Sequence, residues 1–250
     1  WFSAVTQSWE VKLASSGTYS FSASNGECVL AAFERVYIRA PELRQEHMLT
    51  ARRELNLLFV EWSNRQPNLW SVVRTQVALT PGVATINLPI QTVLVLDASI
   101  VLNFGSSNES RRYITPISRT EYLSYANQQT PGPPTVWWMD RLIAPTLTFY
   151  PVPDSNGPYT FDYFACNQIQ DANLAGGETP NVPYRWLDAL ASGMTSRFSR
   201  LYPPPPGIEA LTFRKMCKDD AEDAWRIAAS QDIEPVPLVL APSLVGYYRH

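Results

Sequence analysis

The side chains able to do acid–base, nucleophilic or metal chemistry are few and scattered. His47 and His250 are the only histidines. His47 falls within a helical pattern, with no Glu-x-x-His spacing and no second His at i+4, so it makes no metal motif. It reads as a polar surface or interface residue, and no G-x-S-x-G or similar context surrounds it to support a nucleophile–base arrangement. Cys28, Cys166 and Cys217 are far apart and odd in number. They form neither a disulfide framework nor a metal knuckle, and read as reduced thiols packed as small apolar groups. Asp219, Asp220, Glu222 and Asp223 form an acidic cluster. Two carboxylates can serve a glycosidase or hold a hard cation. Four near-consecutive acids on a helix read more simply as a solvated face, offset by Arg214, Lys215 and Lys218 at helical spacing. Gly176-Gly177 lacks the lysine and the strand–helix context of a phosphate loop. Trp137-Trp138 and Trp186 can stack on a base or sugar, but no basic stripe flanks them, which favours packing. Arg111-Arg112 is a pair, not a patch. The sequence therefore nominates no catalytic residue, no cofactor and no metal site.

The totals narrow the remaining classes. The chain has 250 residues, 45% of them hydrophobic and 17% charged, the latter below the roughly one quarter usual in soluble domains. Its net charge is −3 and its pI about 5.5. Bulk charge therefore does not indicate a generic phosphate-binding surface. Twenty-one prolines argue for extended arms and turns rather than an all-helical bundle. No apolar run approaches the ~20 residues that span a bilayer, so no membrane partner is expected. The first residues lack the basic-then-apolar pattern of a signal peptide, which predicts a protein made and kept in a cytoplasm.

The elements that must position these side chains follow from periodicity. Residues 1–22 read as an arm, with Trp9, Val11 and Leu13 alternating as in a half-buried strand. Trp1 and Phe2 add apolar surface that another chain is expected to cover. Residues 23–69 read as a first helix pair. Ser24-Asn25-Gly26-Glu27 is a capping box opening a helix with Val29, Ala32, Phe33 and Val36 on one side. Pro41 and Glu42 then suit the start of the longest helical pattern, in which Met48, Ala51, Leu55, Leu58, Phe59 and Trp62 share a face. Glu46, Arg53, Glu54 and Glu61 fall off that face, and the run Leu57-Leu58-Phe59-Val60 predicts cover on more than one side. The short connection predicts an antiparallel hairpin, with the rest of the chain packed on its long second helix.

Residues 70–182 read as a β-rich insertion. Val73–Leu79 and Val83–Leu88 flank Thr80-Pro81-Gly82 as a hairpin, and five further short strands follow within Val93–Cys166. A second capping box at Ser118–Glu121 opens a short helix. Spacing of this kind predicts a small antiparallel sheet or barrel. Residues 183–230 read as a second helix pair, with Trp186, Leu187, Leu190, Met194, Phe198 and Leu201, then Phe213, Cys217, Ala221, Ala224 and Ile227, facing inward. Residues 231–250 form an apolar, proline-rich arm. The predicted class is α+β: a layer of about four helices from both chain ends, an inserted β subdomain and an extended C-terminal arm.

Read in order, several stretches resemble the head-to-tail connector (adaptor) proteins of short-tailed phages. They are Ser16–Arg39, Ala51–Val72, Pro116–Arg141 with its TPGPPTVWWMDR, Thr146–Asp154, Gln168–Pro204 with its AGGETPNVPYRWLDAL, and the closing PLVLAPSLVGYYR. The order and spacing of these pieces carry the resemblance, from about Ser16 to the C-terminus. Gln66 stands where such proteins often have Gly, and residues 1–15 precede the usual start. The resemblance implies a virion protein assembled in the host cytoplasm. It implies a ring, typically of twelve copies, docked beneath the portal protein. That ring extends the DNA channel without sequence-specific binding, retains packaged DNA and presents a platform to the tail nozzle or hub.

The C-terminal arm is a poor self-packing element and suits docking by strand addition or groove filling. Leu238, Val239, Leu240, Leu244, Tyr247 and Tyr248 are its candidate portal contacts, chosen on apolar size. Removing Asp232–His250 is expected to leave a folded chain that no longer attaches to portal. The competing readings are a tail-associated peptidoglycan-degrading enzyme built on Asp220 and Glu222, and a DNA-binding module.

Overall fold

The computed structural model describes residues 21–65, 69–173, 177–204 and 206–233. The strand pattern at Trp9–Leu13, the turn at Gln66, Gly176, His250 and the arm from 234 onward lie outside these residues.

Ser24 begins the first helix as the sequence requires. Its hydroxyl accepts from the Glu27 N–H at 3.2 Å, and the Glu27 carboxylate accepts from the Ser24 N–H at 2.7 Å. Helix α1, Asn25–Arg35, buries Val29, Ala32 and Phe33. Pro41 sits in a separate 3₁₀ turn, Ala40–Glu42, rather than in the next helix. Helix α2 runs Gln45–Arg65 and buries Ala51, Leu55, Leu58, Phe59 and Trp62. Met48, expected on that face, is exposed.

The chain then builds a seven-stranded sheet from β1 (Val72–Ala78), β2 (Thr85–Asn87), β3 (Thr92–Leu102), β4 (Ser110–Pro116), β5 (Val136–Asp140), β6 (Thr146–Tyr150) and β7 (Tyr159–Asn167). Their order is β1-β7-β3-β4-β5-β6-β2. All pairs are antiparallel except β4 with β5, where α3 (Arg119–Ser124) and a Pro/Gly segment bring the chain back in the same direction. The expected β1–β2 hairpin does not form. The turn is there, with the Val83 N–H bonded to the Thr80 carbonyl and Gly82 at φ +80°, but β1 pairs with β7 and β2 with β6. Consecutive strands thus occupy opposite edges of one sheet. Six strand spacings of about 4.8 Å exceed what the short link between Ala78 and Thr85 can span, so the sheet must curl towards closure. Backbone bonds carry both edge pairings up to the turn: the Leu79 N–H donates to Tyr159 and the Phe149 N–H to Ala84, while the Gly82 N–H within the turn donates to Pro153 after β6. Leu79, Ile100, Ile114, Trp137, Leu147, Phe149, Phe161 and Tyr163 fill the inside.

After β7 the chain returns to the helices. A 3₁₀ turn at Tyr184–Trp186 leads into α4, Leu187–Leu201, and α5 follows at Ala210–Ser230. The second core combines α1, α2, α4 and α5, so the helices come from both ends of the chain. Its centre is α4, not α2. Ala189, Leu190, Ala191, Ser192, Gly193, Met194, Thr195, Ser196, Phe198 and Ser199 are all buried, and α1, α2 and α5 each lie against this helix. Consequently α1 and α2 do not make the expected tight hairpin; both pack on α4. The α2–α4 approach is close enough that a Cβ at Gly193 would sit 2.9 Å from a Leu58 methyl. On α5, Phe213, Cys217 and Ala228 are buried while Ile227, expected inward, is exposed.

Candidate interaction surfaces

The side chains singled out for chemistry are dispersed and mostly spoken for. His47 Nδ1 accepts the Arg44 N–H at 3.0 Å, which ties down the first turn of α2, and its ring edges onto Phe33 and Tyr202. Cys28, Cys166 and Cys217 are buried and unbridged. Burial pushes the Cys28 and Cys217 thiols up, away from the reactive thiolate. Asp220 and Glu222 stand two positions apart on α5 and therefore face different sides, so they cannot flank one glycosidic bond. Glu222 instead binds Arg65 at 2.9 Å, and Asp223 binds Arg226 at 2.9 Å. Glu222 and Asp223 are offset by these arginines rather than by Arg214, Lys215 or Lys218. Among the described residues no three His, Cys, Asp or Glu side chains are placed to hold a metal ion. No described helix is long and apolar enough to cross a membrane.

Trp186 lies at the centre of the helical core with no exposed surface. Its ring centroid is 5.2 Å from Trp62, 4.7 Å from Trp70 and 6.3 Å from Trp225. Trp137 is buried within the sheet, while Trp138 is half-buried beneath the Arg119 guanidinium and beside Tyr122. All three are packing residues.

Two ionic assemblies that composition did not reveal hold the framework rigid. Arg197 on α4 bridges Glu54 at 3.1 Å and Glu61 at 2.7 Å, and Arg65 links Glu61 to Glu222. This ladder ties α2, α4 and α5 together. Glu54 and Glu61 therefore do not simply face water. Burial acts to raise the Glu61 pKa, but the Arg65 and Arg197 hydrogen bonds outweigh it and hold that carboxyl below its usual value.

On the outer face of the sheet the second assembly places Asp162 between Arg74 and Arg111. The Asp162 side chain is 2% exposed and accepts from Arg74 at 2.9 and 2.5 Å, and from Arg111. The Arg74 hydrogen bonds, opposed by burial and reinforced by Arg111, hold its pKa at about 2 against an ordinary 3.8. A depressed carboxyl pKa contributes stability that is fully present above about 4 and fades as pH falls towards 2. A shift of this size corresponds to about 2 kcal/mol. Asp162→Asn should cost about 2 kcal/mol at neutral pH, read as a lowered denaturant midpoint, and should flatten the pH dependence between 4 and 2. An unchanged midpoint would show that the triad contributes nothing.

Asp232 provides an anchor that sequence alone missed. Its carboxylate is buried, accepts the Leu69 N–H at 3.1 Å and binds Arg185 at 2.8 Å. It thereby joins the end of α5 to the entry of β1 and to the start of α4. The described framework therefore runs past Gln231 to Ile233, and Leu238, Val239, Leu240, Leu244, Tyr247 and Tyr248 lie outside the described residues.

The surface left over is apolar in patches. Leu49, Leu57 and Val60 project from α2 on the side opposite its core face. A groove of about 520 Å³ opens between α1, α4 and α5, with Tyr37, Met216 and Ile227 on its rim and Asp188, Asp220 and Asp223 beside them. Leu142 and Ile143 stand out at the β5–β6 connection. Exposed apolar groups in such patches mark contact surfaces. A family model described as SU10 adaptor protein matches residues 47–232, spanning both the helical core and the curled sheet. No curated protein matches the chain. The matched region, ending at the Asp232 anchor, covers most of the sequence: the chain belongs to the SU10 adaptor family, the head–tail adaptors of short-tailed phages, and is a structural protein of the virion.

Proposed function

We propose that the chain forms a ring, typically of twelve copies, that docks beneath the portal protein, extends the DNA channel, retains packaged DNA and carries the tail nozzle or hub. The observation that supports this reading is the family match across residues 47–232, joined to apolar patches on more than one side of a small domain. In this reading the helical layer makes ring contacts, part of the β-rich insertion between residues 70 and 182 faces tail components, and the arm beyond Ile233 grips portal through Leu238, Val239, Leu240, Leu244, Tyr247 and Tyr248. Arg74 and Arg111 on the sheet's outer face are offset by Asp162 and Glu109, and the net charge is −3. A channel with few phosphate contacts has little counterion-release affinity, so duplex can slide past it. The test uses DNA-filled heads that lack this protein. Adding the purified chain should stop DNA escape; continued escape with the chain bound contradicts the retention role, and no binding to the heads contradicts the docking position.

A further inference from the structure

We infer that the exposed strip of α2 and the groove beside α5 are the two halves of one head-to-tail contact between copies of this chain. The inference rests on the reading that copies assemble side by side, and adds which surfaces meet. On α2, Leu49, Arg53 and Val60 point directly away from the core. Leu57 joins them, so the strip is apolar with one cation within it. That cation is poorly satisfied: among the described residues Arg53 reaches only Glu54, at 3.6 Å, and Glu54 is already held by Arg197. On α5, Met216 and Ile227 are exposed on the rim of the groove, with Asp220 between them. Asp188 is bonded to Arg35 and Asp223 to Arg226, which leaves Asp220 as the groove's acid without a cation among the described residues.

The two strips share a spacing. Leu49, Arg53 and Val60 stand at steps of four and seven, and so do Met216, Asp220 and Ile227. Each strip is about 16 Å long at 1.5 Å per residue. Laid in parallel, they put Leu49 on Met216, Arg53 on Asp220 and Val60 on Ile227, so each apolar end meets an apolar end and the lone charges meet each other. Charge complementarity of this kind sets register and partner choice. The surfaces also lie on different sides of the bundle. The groove is walled by α1, α4 and α5, whereas α2 borders the other face of α5, across a separate cavity lined by Leu58, Arg65, Ala189 and Trp225. Different faces of one chain meeting in trans make a heterologous contact, which propagates from copy to copy and closes into a ring when the rotation allows. Two helix faces of this length cover less than the roughly 800 Å² per partner of a stable complex, so the contact is weak alone and forms when copies are gathered.

The test is cross-linking between Val60→Cys and Ile227→Cys variants, both at exposed positions, with portal rings present and absent. The two variants mixed should give a disulfide-linked dimer under mild oxidation, neither alone should do so, and the double variant should give a ladder. Arg53→Asp should cut the yield about tenfold, and Asp220→Arg on the partner should restore it. No dimer in the mixture under either condition overturns the inference. Equal dimer from one variant alone also overturns it, by showing a symmetric contact. A cross-link that appears only after removal of residues 234–250 overturns it too, because the chain's own arm then fills the groove. Portal attachment is scored in the same samples: attachment without cross-links defeats this contact alone, whereas cross-links without attachment defeat the adaptor reading.

Discussion

Replacing Trp186 with Ala should cost about 3–5 kcal/mol, the usual cost of emptying a fully buried aromatic site. Trp186 has no exposed surface and is walled by Trp62, Trp70 and Trp225, side chains from three other parts of the helical core. No single neighbour can collapse into the space, so the cavity persists. Against a total of roughly 5–15 kcal/mol for a domain, the loss leaves a marginal protein. The expected readout is a large drop in denaturant midpoint with an unchanged slope. Trp186→Phe should cost less than the lost ring area suggests, because the Trp186 indole N–H finds no acceptor among the described residues and an orphaned buried donor is itself destabilising. Trp138→Ala serves as the control. That side chain is half-buried, so its loss should cost about 1 kcal/mol. Equal effects at the two positions would contradict the placement of the helical core.

Removing residues 234–250 should leave the domain folded and abolish its attachment to portal. The cut belongs after Ile233 because Asp232 is part of the framework. A deletion that begins at Asp232 also strips the acceptor from the Leu69 N–H and the partner from Arg185, so lost attachment would then be confounded with lost stability. The arm carries Leu238, Val239, Leu240, Leu244, Tyr247 and Tyr248, apolar groups whose burial against a partner is worth about 25 cal/mol per Å² before ordering costs. Aromatic anchors dominate such contacts, so Tyr247→Ala with Tyr248→Ala should weaken attachment more than Leu244→Ala. The shortened chain should keep its circular dichroism and denaturant midpoint while failing to sediment with portal rings. Undiminished attachment would remove the arm from the docking role.

The α+β class, the capping box at Ser24, most strand positions and the helical layer drawn from both chain ends could be read from periodicity. The centre of that layer could not. A hydrophobic stripe marks a helix covered on one side, and α2 shows such a stripe. α4 is covered all round by means of small residues. Ala189, Ala191, Ser192, Gly193, Thr195, Ser196 and Ser199 let neighbours approach, and the Thr195 and Ser199 hydroxyls donate to the Ala191 and Ser196 carbonyls within the helix. Serine and threonine satisfied in this way read as polar in sequence and behave as core. The run Leu57–Val60 predicted a second cover for α2; in the chain itself Leu57 and Val60 remain exposed, so any such cover must lie beyond the described residues. The β1–β2 hairpin failed for a different reason. Alternation on both sides of a turn predicts two strands but not their partners, and here the sheet's curl brings its two edges to the same turn. Asp162 and Asp232 escaped notice because their partners are 88 and 47 positions away in Arg74 and Arg185, distances at which spacing carries no signal.

The most direct test of the account is the mass of the purified chain alone and mixed with its portal, by native mass spectrometry or light scattering. The account predicts a monomer, or a weakly self-associating chain, that becomes a stoichiometric ring on the portal. A folded chain that does not associate with portal would contradict the adaptor role and return attention to peptidoglycan clearing as the activity to assay.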